Sequence, residues 1–211
     1  MYMDRFTSLH MDVLKEIGNI GAGNAATSLS QILNRKIEMK VPAVKIVSFD
    51  EMMDIVGGPE RVLVAVFLRI EGDITGSMFF VLSPEEADRF VHRMTGDETF
   101  TFSTSQKNEL AISAFQELGN IVSGSYLTSL SDFTRLNIQP SVPSVAVDMV
   151  GAILSIGLIE LSQVSDYAIV VNTSLMDVEE SEQEVKGHFF LLPDPNSFET
   201  IFTALGVIQD D

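Results

Sequence analysis

Glu16 and Asn19 stand three positions apart, and Glu117 and Asn120 repeat the pair 101 positions later. Each pair joins a carboxylate, able to hold a cation, to a carboxamide that donates and accepts hydrogen bonds but cannot act as a base. The repetition extends to Asp12 and Ser113 upstream and to Pro42 and Pro143 downstream. The pattern (Asp or Ser)-x3-Glu-x2-Asn-x22-Pro thus occurs twice without an insertion. Lys15–Gly23 (KEIGNIGAG) faces Gln116–Gly124 (QELGNIVSG), and Thr27–Ser30 faces Thr128–Ser131, both TSLS. A solvated face needs polarity, not the same Glu and Asn at the same spacing twice. Asparagine is also a mediocre helix former. The two pairs are therefore the candidate functional residues.

Other chemistries fit less well. The chain has no cysteine, which excludes a disulfide framework, a thiolate nucleophile and a zinc–sulfur site. His10, His92 and His188 are scattered and lack a neighbouring ligand pattern, so neither a metal site nor a histidine relay is expected. Gly21-x-Gly23-x-x-Ala26 has the outline of a dinucleotide fingerprint, but that motif must follow a strand and open a helix. Here it lies inside a helical pattern, and the second copy reads Val122, Gly124 and Leu127. Glycine inside a helix costs about 1 kcal/mol relative to alanine, so Gly18, Gly21 and Gly23 need a reason. Close approach of a packed element at Gly18 and Gly21, and of a partner at Gly23, is the expectation.

The elements that must position the pairs follow from periodicity. From Asp12 to about Asn34 the period is helical. Val13, Leu14, Ile17, Ile20, Gly21, Ala25 and Ile32 fall on one side, and Asp12, Glu16, Asn19, Gly23 and Ser30 on the other. The second copy turns Phe115, Leu118, Ile121, Val122 and Tyr126 inward and Ser113, Glu117, Asn120, Gly124 and Ser131 outward. Strands are expected next at Glu38–Phe49 and Ile138–Val147, each with an internal proline that implies an edge or a bulge. In the first half a short helix (Asp50–Val56), a hairpin (Val62–Ile70 with Ser77–Leu82) and a helix (Pro84–Thr95, stopped by Gly96) follow. In the second half the apolar segment Met149–Leu161 could be strand or helix, and the repeat register, which sets it opposite Asp50–Val56, makes it a helix. A hairpin (Tyr167–Met176 with His188–Leu192) then carries an acidic loop from Asp177 to Glu184, and Ser197–Leu205 closes as a helix.

The fold class that results is α+β. It is a pseudo-two-fold internal duplication with a six-stranded, largely antiparallel sheet and two long matching helices packed outside it. A single domain is expected over residues 1–211, with halves at about 8–97 and 105–207. A repeat near 100 residues is too long for a solenoid unit, and each half alone would bury too little apolar surface. The 211 residues are 45% hydrophobic, ample for one core. A net charge of −17, from 30 acidic and 13 basic side chains, argues against nucleic acid or an anionic membrane as partner. It favours a partner with a basic patch, or serves solubility alone. The N-terminus lacks an apolar stretch of the signal-peptide kind, so a soluble, cytoplasmic protein is expected.

The doubled motif and the run GluIleGlyAsnIleGlyAlaGlyAsnAla resemble the CheC/CheX/FliY family of chemotaxis phosphatases, over nearly the whole chain. The second copy places it with the CheC branch, since CheX-type members carry one motif, and the chain ends too soon for the extra domain of FliY-type members. The resemblance implies dephosphorylation of a response regulator, CheY-P, at its aspartyl phosphate. Asn19 and Asn120 would orient the attacking water, and Glu16 and Glu117 would dock a lysine of the regulator. Asp12, Ser113, Pro42 and Pro143 would support these sites. No cofactor of the chain's own is implied, and the magnesium ion would belong to the regulator. The alternative is a mainly non-catalytic adaptor that binds the receptor deamidase CheD, with the contact near Asp148 and the apolar Met149–Leu161 segment.

Overall fold

In the computed structural model, which describes residues 8–103, 108–160, 167–178 and 184–206, the two halves have the same order of elements. The first runs α1 (Ser8–Leu33), β1 (Ile37–Ser48), α2 (Phe49–Ile55), β2 (Val62–Gly72), β3 (Gly76–Leu82) and α3 (Pro84–Thr95). The second runs α4 (Glu109–Thr134), β4 (Ile138–Pro140), β5 (Ser144–Met149), α5 (Val150–Glu160), β6 (Tyr167–Asp177), β7 (Glu184–Pro193) and α6 (Pro195–Ala204). Local chemistry sets several ends. Ser48 with Glu51, and Ser83 with Glu86, form reciprocal capping boxes. Pro84 opens α3, and Gly96 closes it in the left-handed conformation at φ 72°.

One sheet in the order β1-β6-β7-β3-β2 carries β4 and β5 beyond β2, and every pairing is antiparallel. The pseudo-dyad passes between β7 and β3. Each outer strand pairs with the hairpin of the other half: β1 with β6, and β5 with β2. There are seven strands rather than the expected six. The segment beginning at Ile138 breaks after Pro140 and resumes at Ser144, because prolines at 140 and 143 supply no ladder donor. In the first half Pro42 is absorbed by a register shift between Lys40 and Ala43, and β1 stays continuous at the sheet edge.

Apolar side chains cover both faces of the sheet. Leu14, Ile17, Leu29, Phe115, Phe189 and Phe202 lie in the core beneath α1, α4, α3 and α6. Met52, Phe79, Phe190, Ile153 and Leu154 fill the other face beneath α2 and α5. Helix α1 packs on α4 through its small residues. A Cβ at Gly21 would stand 2.9 Å from the Tyr126 Cα, so only glycine permits the approach. Because α1 seats on Gly18, Gly21, Ala22 and Ala25, Ile20 and Ile32 are turned out and are 42% and 51% exposed, against the expectation that both face inward.

The acidic run is also less loop-like than expected. Asp177 ends β6 fully buried and pairs with Arg35 at 3.2 Å, and Glu184 opens β7. Glu179, Glu180 and Glu182 lie outside the described residues. No helix among the described residues is long and apolar enough to cross a membrane.

Candidate functional site on the paired helices

The 3.6-residue period puts Glu16 and Asn19 on the outer face of α1, one turn apart, and Glu117 and Asn120 on the outer face of α4. Glu16, Glu117 and Asn120 are exposed and Asn19 is half-buried. Neither glutamate forms an ion pair among the described residues, so both carboxylates can accept a cation from outside. One turn further on, Gly23 and Gly124 have no neighbouring atom within 4 Å of where a Cβ would stand. The stripe beyond each asparagine is therefore bare, and a partner's backbone could lie close to it.

The two asparagines differ in their bonding. Asn19 Oδ1 accepts the Val41 N–H at 3.0 Å, and its Nδ2 donates to the Lys15 carbonyl at 3.1 Å. Val41 is the residue before Pro42, inside the irregular stretch of β1, and its amide turns to the helix instead of a strand neighbour. The Asn120 side chain makes no hydrogen bond among the described residues. The counterpart of Val41 is Val142, which is 85% exposed in the break between β4 and β5. The helix is tied to that break by another residue: Gln116 Nε2 donates to the Pro143 carbonyl at 2.6 Å. Ser113, Glu117, Asn120, Pro140, Val142 and Pro143 line a recess of about 510 Å³ at this point.

The four polar residues singled out in the sequence thus lie on the outer faces of the two long helices, each Glu beside its Asn. Pro143 lines the recess together with Asn120, and Pro42 follows Val41, whose N–H Asn19 accepts. Asp12 and Ser113 are exposed one turn before each glutamate. Sequence reasoning missed Val41 and Gln116. A signal for Gln116 was present, since the repeats exchange Lys15 for Gln116 directly before the glutamate.

The same two segments are matched by the model of the CheC-like family, at residues 9–46 and 110–147. The chain is 50% identical over 196 residues to the Bacillus subtilis protein named CheY-P phosphatase CheC, covering 93% of each. The chain belongs to the CheC-like family. It is also 30% identical over 143 residues to the B. subtilis flagellar motor switch phosphatase FliY, covering 68% of this chain and 37% of that protein. The crystal structure of Thermotoga maritima FliY has the same fold, with a TM-score of 0.74 at 24% identity, covering 97% of this chain and 99% of that one. In this CheC-like chain the family segments begin in each long helix and run through the strand region beyond it, so they contain both Glu/Asn pairs and both prolines.

Asp148 lies apart from these helices, exposed on the outer strand β5. Val147 and Met149 beside it are 42% and 46% exposed, and Met149 pairs across to Val62, also 46% exposed. Val150, Ile153 and Leu154 of the following helix are buried, so the apolar surface here is offered by the strands.

Proposed function

We propose that this CheC-like chain hydrolyses the aspartyl phosphate of a phosphorylated CheY-type response regulator. The observation that carries this reading is the doubled, outward-facing Glu/Asn pair, with Asn120 unbonded at the mouth of its recess. The relative sharing half its residues is named for the same reaction. Phosphoryl transfer to water demands mainly positioning and charge neutralisation. A carboxamide is suited to positioning, because its carbonyl accepts from the water's O–H while its N–H₂ donates to a phosphoryl oxygen. Water attacks phosphorus, the bond to the aspartyl oxygen breaks, and the products are the regulator's free carboxylate and inorganic phosphate. Glu16 and Glu117 hold a lysine of the regulator and bring the acyl phosphate to each asparagine. The magnesium ion at the phosphate belongs to the regulator. The decisive measurement is the lifetime of CheY-P with and without the protein. Asn19→Ala with Asn120→Ala should abolish the acceleration; full acceleration by that double variant ends the assignment.

A second reading, an adaptor for CheD, is favoured by the exposed apolar trio Val62, Val147 and Met149 on one face of the outer strands, with Asp148 exposed on the opposite face of β5. Asp148→Lys should weaken capture by CheD in a pull-down while leaving CheY-P lifetime unaltered. Undiminished capture removes this contact.

A further inference from the structure

On the sheet face covered by α2 and α5, away from the paired asparagines, lies a second recess, of about 180 Å³. Its floor is apolar, from Leu63 and Val81, and its walls carry Arg61, Lys186, His188 and Glu86. Sites for drug-sized ligands run to roughly 300–1,000 Å³, so this one suits a small group. The chain has only 13 lysines and arginines against 30 acids, so two cations and an imidazole around one recess run against its overall charge.

The cations are placed rather than merely near. After α2 the chain turns through Gly57 and Gly58, at φ 101° and 99°, a conformation that favours glycine. A Cβ at residue 57 would stand 2.7 Å from both Cδ and Nη1 of Arg61, so the arginine is folded back across the glycine. Among the described residues no carboxylate lies within ion-pair distance of its guanidinium. The one carboxylate in the wall, Glu86, keeps its charge but has both oxygens turned to hydrogen-bond donors. Glu86 Oε2 accepts from the N–H and O–H of Ser83, and Oε1 accepts the Lys186 N–H at 2.9 Å. Among the described residues Lys186 Nζ has one ion-pair partner, an exposed Glu184 at 3.7 Å. His188 holds Asn172 Oδ1 through Nδ1 at 2.9 Å, which leaves Nε2 as the nitrogen that can gain a proton.

We propose that this recess binds a phosphate group, with Arg61 and Lys186 as its cationic clamp and His188 as the side chain that gains a proton when the anion enters. Burial, joined by the charge of Arg61 and opposed by that of Glu86, holds the His188 pKa below its usual value. A bound dianion reverses that balance, because it favours the imidazolium. The site is independent of the phosphatase reading, since it shares no residue with the Glu/Asn pairs.

The test is an NMR titration of the three histidines from pH 5 to 8, with and without inorganic phosphate at constant ionic strength. Phosphate should raise the His188 pKa by about one unit. Arg61→Gln should weaken phosphate binding about tenfold, and Lys186→Gln, at an exposed position, should weaken it without risk to the fold. A His188 resonance indifferent to phosphate, or a response in both variants equal to that of the unaltered protein, overturns the proposal. Glycerol 3-phosphate supplies the second arm: tighter binding than inorganic phosphate identifies a phosphate monoester as the ligand, and equal binding identifies free phosphate. Arg61→Gln should leave CheY-P dephosphorylation unchanged, so failure of one reading leaves the other standing.

Discussion

Asn19 and Asn120 should not contribute equally. The Asn19 carboxamide is held against the fold by the Val41 N–H at 3.0 Å and the Lys15 carbonyl at 3.1 Å, and swinging it outward to a phosphoryl group breaks the Val41 bond. Asn120 has no such bond to break. A hydrogen bond of this kind contributes about 0.5–1.5 kcal/mol net, and each 1.36 kcal/mol is tenfold in rate, so the first site should run about 2- to 13-fold slower. With independent sites, Asn120→Ala should keep about a tenth to a third of the acceleration, and Asn19→Ala about 70–90%. Stability should show the opposite order. Asn19→Ala strands the Val41 amide and should cost about 1 kcal/mol, which lowers Tm by about 2–4 °C in a chain of this size. Asn120→Ala breaks no bond at an exposed helix position and should raise Tm slightly, because alanine is the better helix former. The assay is single-turnover decay of phosphorylated regulator, run beside thermal unfolding of each variant. Equal activity losses, or an equal drop in Tm, would refute the argument that the Val41 bond restrains the first site.

Four further outcomes test other parts of the structure. Gln116→Ala removes the 2.6 Å tie to Pro143 and should lower kcat of the second site in an Asn19→Ala background with KM nearly constant; unchanged kcat would deny Gln116 a positioning role. Glu16→Lys and Glu117→Lys should raise KM for CheY-P while kcat is largely kept; a lost kcat at constant KM would move the glutamates from docking to chemistry. Gly21→Ala forces a Cβ to 2.9 Å from backbone and should lower Tm, overpacking costing about 1–3 kcal/mol, whereas Gly23→Ala has open space and should raise Tm through about 1 kcal/mol of helix propensity. Because the folded-state pKa of His188 is depressed, its contribution to stability is present above an unfolded pKa of about 6.5 and is lost as pH falls through the folded value. His188→Gln should flatten that acid-side decline in Tm, and an unchanged slope would show that His188 does not cause it.

Much of this molecule was legible because its halves repeat. The 101-residue offset assigned Met149–Leu161 to a helix when its composition alone allowed strand or helix, and α5 occupies Val150–Glu160. Tertiary packing decided what periodicity could not. Ile20 lies one residue from Gly21, and a helical wheel cannot tell which neighbour a helix will rest on. The contact of Gly21 with Tyr126 belongs to α1 and α4 jointly and turns Ile20 outward. Asp177 reads as part of a solvated acidic run until Arg35, 142 positions earlier, closes over it.

The same reasoning explains why two nearly identical motifs give two different sites. The motif fixes Glu, Asn and Pro but leaves open how the strand beside the helix accommodates its proline. Where β1 stays continuous across Pro42, the Val41 amide has no strand partner and takes the nearest acceptor, which is the asparagine itself. Where the strand breaks between Pro140 and Ser144, Gln116 ties the break down and the asparagine is left unbonded. A buried or half-buried N–H must find an acceptor, so the price of a continuous strand in the first half is an occupied Asn19. The Lys15–Gln116 exchange follows from that, because a lysine beside an already tethered strand has nothing to hold. Installing lysine at 116 should therefore loosen the break without restoring the first half's tether, since Val142 is too exposed to require one.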